Sequence, residues 1–156
     1  MATKQVAVLM GSDSDKKVME GCLEYLDNFG ISYETKVLSA HRQPQELDAY
    51  IKELGSKGTE VVIAGAGMAA ALPGVIASQI TIPVIGVPLD SSPLSGLDAL
   101  YSMVQMPPGI PVATVAIGSA GAKNAAVLAL QILALKNTGL KETLIQFRAK
   151  GGKLTK

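Results

Sequence analysis

The sequence predicts an α/β fold built on a doubly wound parallel sheet, and three observations carry that reading. Short apolar runs rich in Val and Ile recur at Val6–Met10, Tyr33–Leu38, Glu60–Ala64, Pro83–Val87 and Pro111–Ile117. Most lack the alternation of a half-wet strand, so they read as strands buried on both faces. Helical patterns lie between them, and strands alternating with helices imply right-handed parallel crossovers.

Taken in order, the first helix follows the first strand. Val18, Met19, Cys22, Leu23, Leu26 and Phe29 recur at helical spacing with charges opposite, and Gly30 supplies the stop. The next helix opens on Pro44 in its first turn and carries Leu47, Tyr50, Ile51 and Leu54 on one stripe. Ala122–Leu135 is apolar nearly all round, broken only by Lys123, Asn124 and Gln131, so it is either central or packed on a neighbouring subunit. Lys141 to Lys156 reads as a solvated terminal helix and tail, the helix starting from about residue 139 and placed to pack on a neighbouring subunit. The five strands fit a flavodoxin-like order. At 156 residues, and roughly 150 residues per domain, the chain forms one α/β domain, 1–156.

Composition narrows the partners. Hydrophobic residues are 48% and charged ones 17%, against a usual charged share of roughly 25%. A small monomer must cover a large surface with polar groups, so a homo-oligomer is expected. A net charge of +1 argues against nucleic acid or anionic membrane as the main partner. No run reaches the roughly 18 apolar residues of a membrane span, and the N-terminal segment lacks the pattern of a signal peptide. A cytoplasmic protein is expected. One cysteine, Cys22, and one histidine exclude a disulfide framework and leave too few nitrogen and sulfur ligands for a transition-metal site.

In an open α/β sheet, ligands bind beyond the C-terminal ends of the strands. Those ends read Gly11-Ser12-Asp13-Ser14-Asp15, Ser39-Ala40-His41-Arg42-Gln43-Pro44, Gly65-Ala66-Gly67-Met68-Ala69-Ala70, Leu89-Asp90-Ser91-Ser92-Pro93 and Gly118-Ser119-Ala120-Gly121. Small, hydroxylated and glycine residues let backbone amides and hydroxyls approach an anion closely, which favours a small phosphorylated ligand. Ser12, Asp13 or Ser14 also suits a helix N-cap. Gly65-Ala66-Gly67-Met68-Ala69-Ala70 fits the G-x-G-x-x-A pattern of dinucleotide sites, with Asp90 where a ribose-binding acid would sit. That motif normally follows the first strand, and the chain has no room for a separate substrate domain. His41 can exchange protons near neutral pH, and Arg42 beside it suits phosphate or carboxylate. Cys22 reads as core, and no G-x-S-x-G elbow is present. The residues alone thus point to an oligomeric enzyme acting on a small phosphorylated compound by metal-free proton transfer, with His41 as acid and base.

The ordered motifs Gly11-Ser12-Asp13-Ser14-Asp15, Ser39-Ala40-His41-Arg42, Gly65-Ala66-Gly67, Leu72-Pro73-Gly74, Leu94-Ser95-Gly96 and Gln105-Met106-Pro107 resemble the N5-carboxyaminoimidazole ribonucleotide mutases of bacterial-type purine biosynthesis. The resemblance runs from Val6 to about Leu135. It implies a three-layer protomer in an octamer, with sites built from more than one subunit. It also implies conversion of N5-carboxyaminoimidazole ribonucleotide to 4-carboxy-5-aminoimidazole ribonucleotide with no cofactor: no ATP, metal or biotin. Carried over by position, His41 is the general acid and base. Ser12, Ser14 and Asp15 bind substrate, with Ser12 and Asp15 on the ribose and base region. Ser39 and Arg42 hold the phosphate, and Gly67 lets the third loop close on the ligand.

The chain departs from the family's Gly-Gly-Ala-Ala-His-Leu-Pro-Gly at two positions, with Met68 for a glycine and Ala71 for a second histidine; Gln43 also replaces a threonine. Either that histidine only assists, or the pocket has moved toward another substrate; the intact remaining motifs favour the first. The nearest rival is a carboxylase of the same fold that uses free CO2 on aminoimidazole ribonucleotide. It carries lysine after the histidine, where this chain has Arg42. A non-catalytic nucleotide-binding module is the rival from a different class.

Overall fold

The computed structural model describes residues 4–154; Thr155 and Lys156, the end of the expected tail, lie outside them. Five parallel strands form one sheet in the order β2-β1-β3-β4-β5: β1 Val6–Met10, β2 Tyr33–Val37, β3 Val61–Gly67, β4 Val84–Leu89 and β5 Ala113–Thr114. The flavodoxin-like order is therefore present. Helices α1 Lys16–Asn28, α2 Pro44–Leu54, α3 Leu72–Ala77, α4 Leu97–Val104, α5 Gly118–Ala134 and α6 Thr138–Ala149 cover both faces.

The period-2 geometry of the strands divides the core into two layers. Val6, Val8 and Met10 of β1 face α1, α5 and α6, packing on Met19, Cys22, Leu26, Leu130 and Phe147. Ala7 and Leu9 face α2, α3 and α4, meeting Leu47, Ile51, Ile76 and Met103. The central strands β1 and β4 are buried at every position, which is why their sequences show no alternation. On α1, Met19, Cys22, Leu26 and Phe29 reach the core while Val18 and Leu23 sit half-buried at its margin, and Gly30 leaves the helix at φ 68°. All four expected residues of α2 are buried behind Pro44 at its first turn.

The strands after β1 differ from the sequence reading in burial or extent, and β4 runs on to Leu89. β2 is a half-exposed edge strand, because it pairs only with β1, and Glu34, Thr35 and Lys36 keep its outer margin polar. β3 continues through Gly65, Ala66 and Gly67, which pair with Val87, Pro88 and Leu89 of β4. The supposed strand Pro111–Ile117 pairs only at Ala113 and Thr114: it lies at the other edge, Pro111 has no N–H to donate, and the chain turns into α5 at Gly118.

The apolar helix α5 is central within its own protomer, lying on α1, α6, β3 and β4. Leu135, the last residue of the apolar run, instead projects into solvent beyond the helix end. Asn137 caps α6 by accepting from the Leu140 amide at 3.1 Å. Leu140 and Phe147 then anchor that helix to the core, with Phe147 edge-on to Tyr25 and Phe29 at ring-centre distances of 6.0 and 5.1 Å.

Burial pushes the Cys22 thiol up to about 12. Above the unfolded-chain value near 9.0 the unfolded state sheds this proton while the native state keeps it. Stability from this group is therefore intact below that pH and falls as pH rises toward the native value, by up to about 4 kcal/mol. In alkaline denaturation, Cys22→Ala is expected to flatten the decline between those two values relative to wild type.

Candidate functional site

The sheet reverses its winding direction between β1 and β3, the place where open α/β sheets leave a crevice at their strand ends. A cleft of about 460 Å³ opens there. Its walls come from the loops after β1, β2 and β3 and from Ser91 just beyond β4. Ser12, Ser14, Asp15, Ser39, His41, Arg42 and Gly67, all singled out from sequence, line this one cleft.

The first loop is held by its own polar groups. Ser12 caps the short 3-10 turn Asp13–Asp15 in a reciprocal arrangement. Its amide donates to Asp15 Oδ2 at 2.9 Å, and its Oγ accepts from the Ser14 amide at 3.4 Å and the Ser14 hydroxyl at 3.0 Å. Capping leaves the hydroxyl its proton: with its oxygen accepting, the Ser12 O–H on the cleft wall can still donate. Asp15 is only 6% exposed. Burial raises its carboxyl pKa, and hydrogen bonds from Ser12, Gly11 and Ser14 oppose that shift.

The second loop is braced in the same manner. Buried Ser39 accepts the Arg42 amide on its Oγ at 3.2 Å, and its carbonyl accepts the Gln43 amide at 2.9 Å. Gln43 stands at the N-cap of α2 without capping it; its Oε1 instead accepts the Ser39 amide at 3.3 Å. Gln43 therefore ties the two ends of the loop together. His41 and Arg42 are exposed at its tip, a proton carrier and a fork of fixed positive charge side by side.

The third wall is apolar. Ala66, Ala70 and Leu72 are buried, while Met68 and Ala69 are exposed along the cleft. Met68 and Ala70 take φ values of 56° and 43°, left-handed conformations that suit glycine better than any side chain. Gly67 ends β3 beneath Ser91, and a Cβ there would overlap the Ser91 Oγ. With glycine there the Ser91 hydroxyl can lie directly against β3, whereas a larger residue would make it turn aside. Because Gly65 lies inside β3 and α3 starts only at Leu72, the Gly65–Ala70 run is not the strand-to-helix phosphate turn of a dinucleotide site. Asp90 lies with its carboxylate beside Gly118 and does not line the cleft.

Ser91, Ala40 and Leu72 also line the cleft, and residue type alone does not mark them as site residues. Ser91 is marked only by its place in a strand-end loop; the other two carry no distinctive chemistry. Ala71, where the related motif has histidine, borders the cleft immediately before α3. Met103 and Met106 are packing residues: Met103 is buried under β4, and Met106 lies against Gly74.

Residues 5–153 match the family model described as AIR carboxylase. The N5-carboxyaminoimidazole ribonucleotide mutase of Pyrococcus abyssi is 56% identical over 92% of this chain and 82% of its own. That of Vibrio cholerae is 52% identical over 93% of this chain and 90% of its own. The crystal structure of Treponema denticola PurE superposes with a TM-score of 0.86 at 30% identity, covering 94% of this chain and 90% of that one. The shared fold, the strand-end cleft and identity above one half along nearly the whole length have one explanation: the chain belongs to the AIR carboxylase family.

Proposed function

We propose that the protein is an isomerase of purine biosynthesis, converting N5-carboxyaminoimidazole ribonucleotide to 4-carboxy-5-aminoimidazole ribonucleotide. The observation that carries the reading is a single cleft joining the His41–Arg42 tip, the serine-rich first loop and an apolar third wall, in a chain more than half identical to named mutases. The rival that uses free CO2 is not favoured by those relatives, and Arg42 stands where that class has lysine.

The chemistry needs few groups. Arg42, with the Ser39 hydroxyl, takes the phosphate, the polar end of the ligand. Ser12, Ser14 and Asp15 receive the ribose and ring. The N–CO2 bond of the carbamate breaks with its electron pair returning to nitrogen, which takes a proton from His41 and releases CO2 inside the cleft. The ring carbon then attacks CO2 to form the C–C bond, and neutral His41 removes the proton from that carbon. The proton inventory returns to its start, so no external reactant is consumed. His41 is the sole histidine of the chain, and with Ala71 in the wall both proton transfers fall to it.

The assembly is read as a homo-octamer with sites shared between subunits. Its support is the thin charge of the chain and a solvent-facing apolar stripe on α4, Leu97, Tyr101 and Val104, extended by Leu94. The same proposal has the enzyme act in the cytoplasm on its small phosphorylated substrate. Among the described residues no helix is long and apolar enough to cross a membrane.

The test is carboxylate transfer followed by NMR with the carbamate substrate. Appearance of the ring carboxylate without added ATP or bicarbonate establishes the mutase. Binding of the ribonucleotide without turnover would leave a binding module, and turnover only with added CO2 would leave the carboxylase.

A further inference from the structure

We infer that in this chain, which has Met68 and Ala71 where the related motif has glycine and histidine, Met68 is the residue that keeps released CO2 in the cleft. This positioning role rests on the mutase reading above and on that paired departure, since a motif with glycine at the first position carries a long side chain at the second. CO2 is uncharged and donates no hydrogen bond, so Arg42 and the serines cannot hold it strongly; it stays only where water and the exit are excluded. The third wall offers such a place, floored by buried Ala66, Ala70 and Leu72. Ala69, Ala70 and Ala71 end at a methyl group, so Met68 is the one side chain of residues 68–71 that extends beyond Cβ into or over the cleft it lines.

Two further observations place it there. Met68 lines the cleft and is yet 61% exposed, which puts its side chain at the mouth and not in the floor. Its φ of 56° lies where any side chain is disfavoured, so a long apolar side chain stands on backbone better suited to glycine. An unbranched thioether can shift to admit the nucleotide and then lie over a small apolar molecule. The step it protects is the interval between two bonds. After the N–C bond has broken and the nitrogen has taken its proton, escape of CO2 leaves aminoimidazole ribonucleotide. Capture by the ring carbon gives product.

The experiment uses the full chain and substrate labelled with 13C in its carbamate, in unlabelled bicarbonate with carbonic anhydrase to equilibrate any escaping CO2. Wild type is expected to carry the label into the ring carboxylate. Met68→Gly is expected to lower the retained label about threefold or more and to release aminoimidazole ribonucleotide, whereas Met68→Leu restores the wild-type partition. A role limited to backbone strain would raise the melting temperature of Met68→Gly and leave label retention unmoved. Retention in Met68→Gly equal to wild type, or leakage in Met68→Leu equal to Met68→Gly, overturns the inference and leaves the mutase standing. A wild type that transfers no carboxylate overturns the mutase reading and this inference with it.

Discussion

Replacing His41 with asparagine is expected to lower kcat by about 10²–10⁴-fold, the range associated with losing a positioned general acid and base. The side chain sits exposed at the tip of the second loop and packs into no core, so the fold has no reason to respond. Asparagine keeps hydrogen-bonding capacity but carries no transferable proton near neutral pH. Ribonucleotide affinity, measured by calorimetry, is expected to change by no more than about threefold, because Arg42 and the serine loop remain and the loss falls on the transition state. A variant that loses affinity and turnover in equal proportion would make His41 a binding residue and move the proton transfers elsewhere. With one histidine in the chain, no second imidazole can mask the result.

Gly121→Ala is expected to be the most damaging single-methyl change to stability. Gly121 lies in the first turn of α5, and a Cβ there would overlap the carbonyl oxygen of Ala116. That oxygen belongs to backbone, not to a flexible side-chain tip that could swing away. It also belongs to the short segment joining β5 to a helix whose Ala122, Ala125, Ala126 and Leu130 are fully buried. Relief therefore requires moving the helix off the sheet or breaking the turn. A cost of about 3–5 kcal/mol follows, which for a domain of this size lowers the melting temperature by about 10 °C. Gly55→Ala is the control: Gly55 has helical backbone angles and nothing within 4 Å of an added Cβ. Its melting temperature is expected to hold or rise slightly.

Residues whose chemistry or spacing is distinctive could be found without coordinates. Helical stripes marked α1 and α2, because a helix that buries one face must repeat its apolar residues near every third or fourth position. The serines, Asp15, His41, Arg42 and Gly67 were visible because strand ends in a parallel sheet share one edge, so loops distant in sequence meet there. Hydrophobic runs could not mark how far pairing extends. Gly65-Ala66-Gly67 looks like a loop by composition and is strand, since glycine is accepted where another layer approaches closely. Pro111–Ile117 looks like strand and pairs over two residues, since an edge position and a proline limit the ladder. Ser91 and the alanine wall carry no spacing of their own.

The alternation of strand and helix, the parallel sheet, and the chemical inventory of one histidine, one arginine beside it and hydroxyl-rich loops are legible in the chain without coordinates. Those are properties of residue type and period, which are written locally. Which loops face each other, and that Gly67 lies under Ser91, is visible in the packed fold and not before it. It alone showed that α5 lies at the centre of its own protomer, and that Met68 stands at the mouth of the cleft on left-handed backbone. Each of these depends on distances between segments far apart in the chain, and such distances are set by the packing of two layers on one sheet.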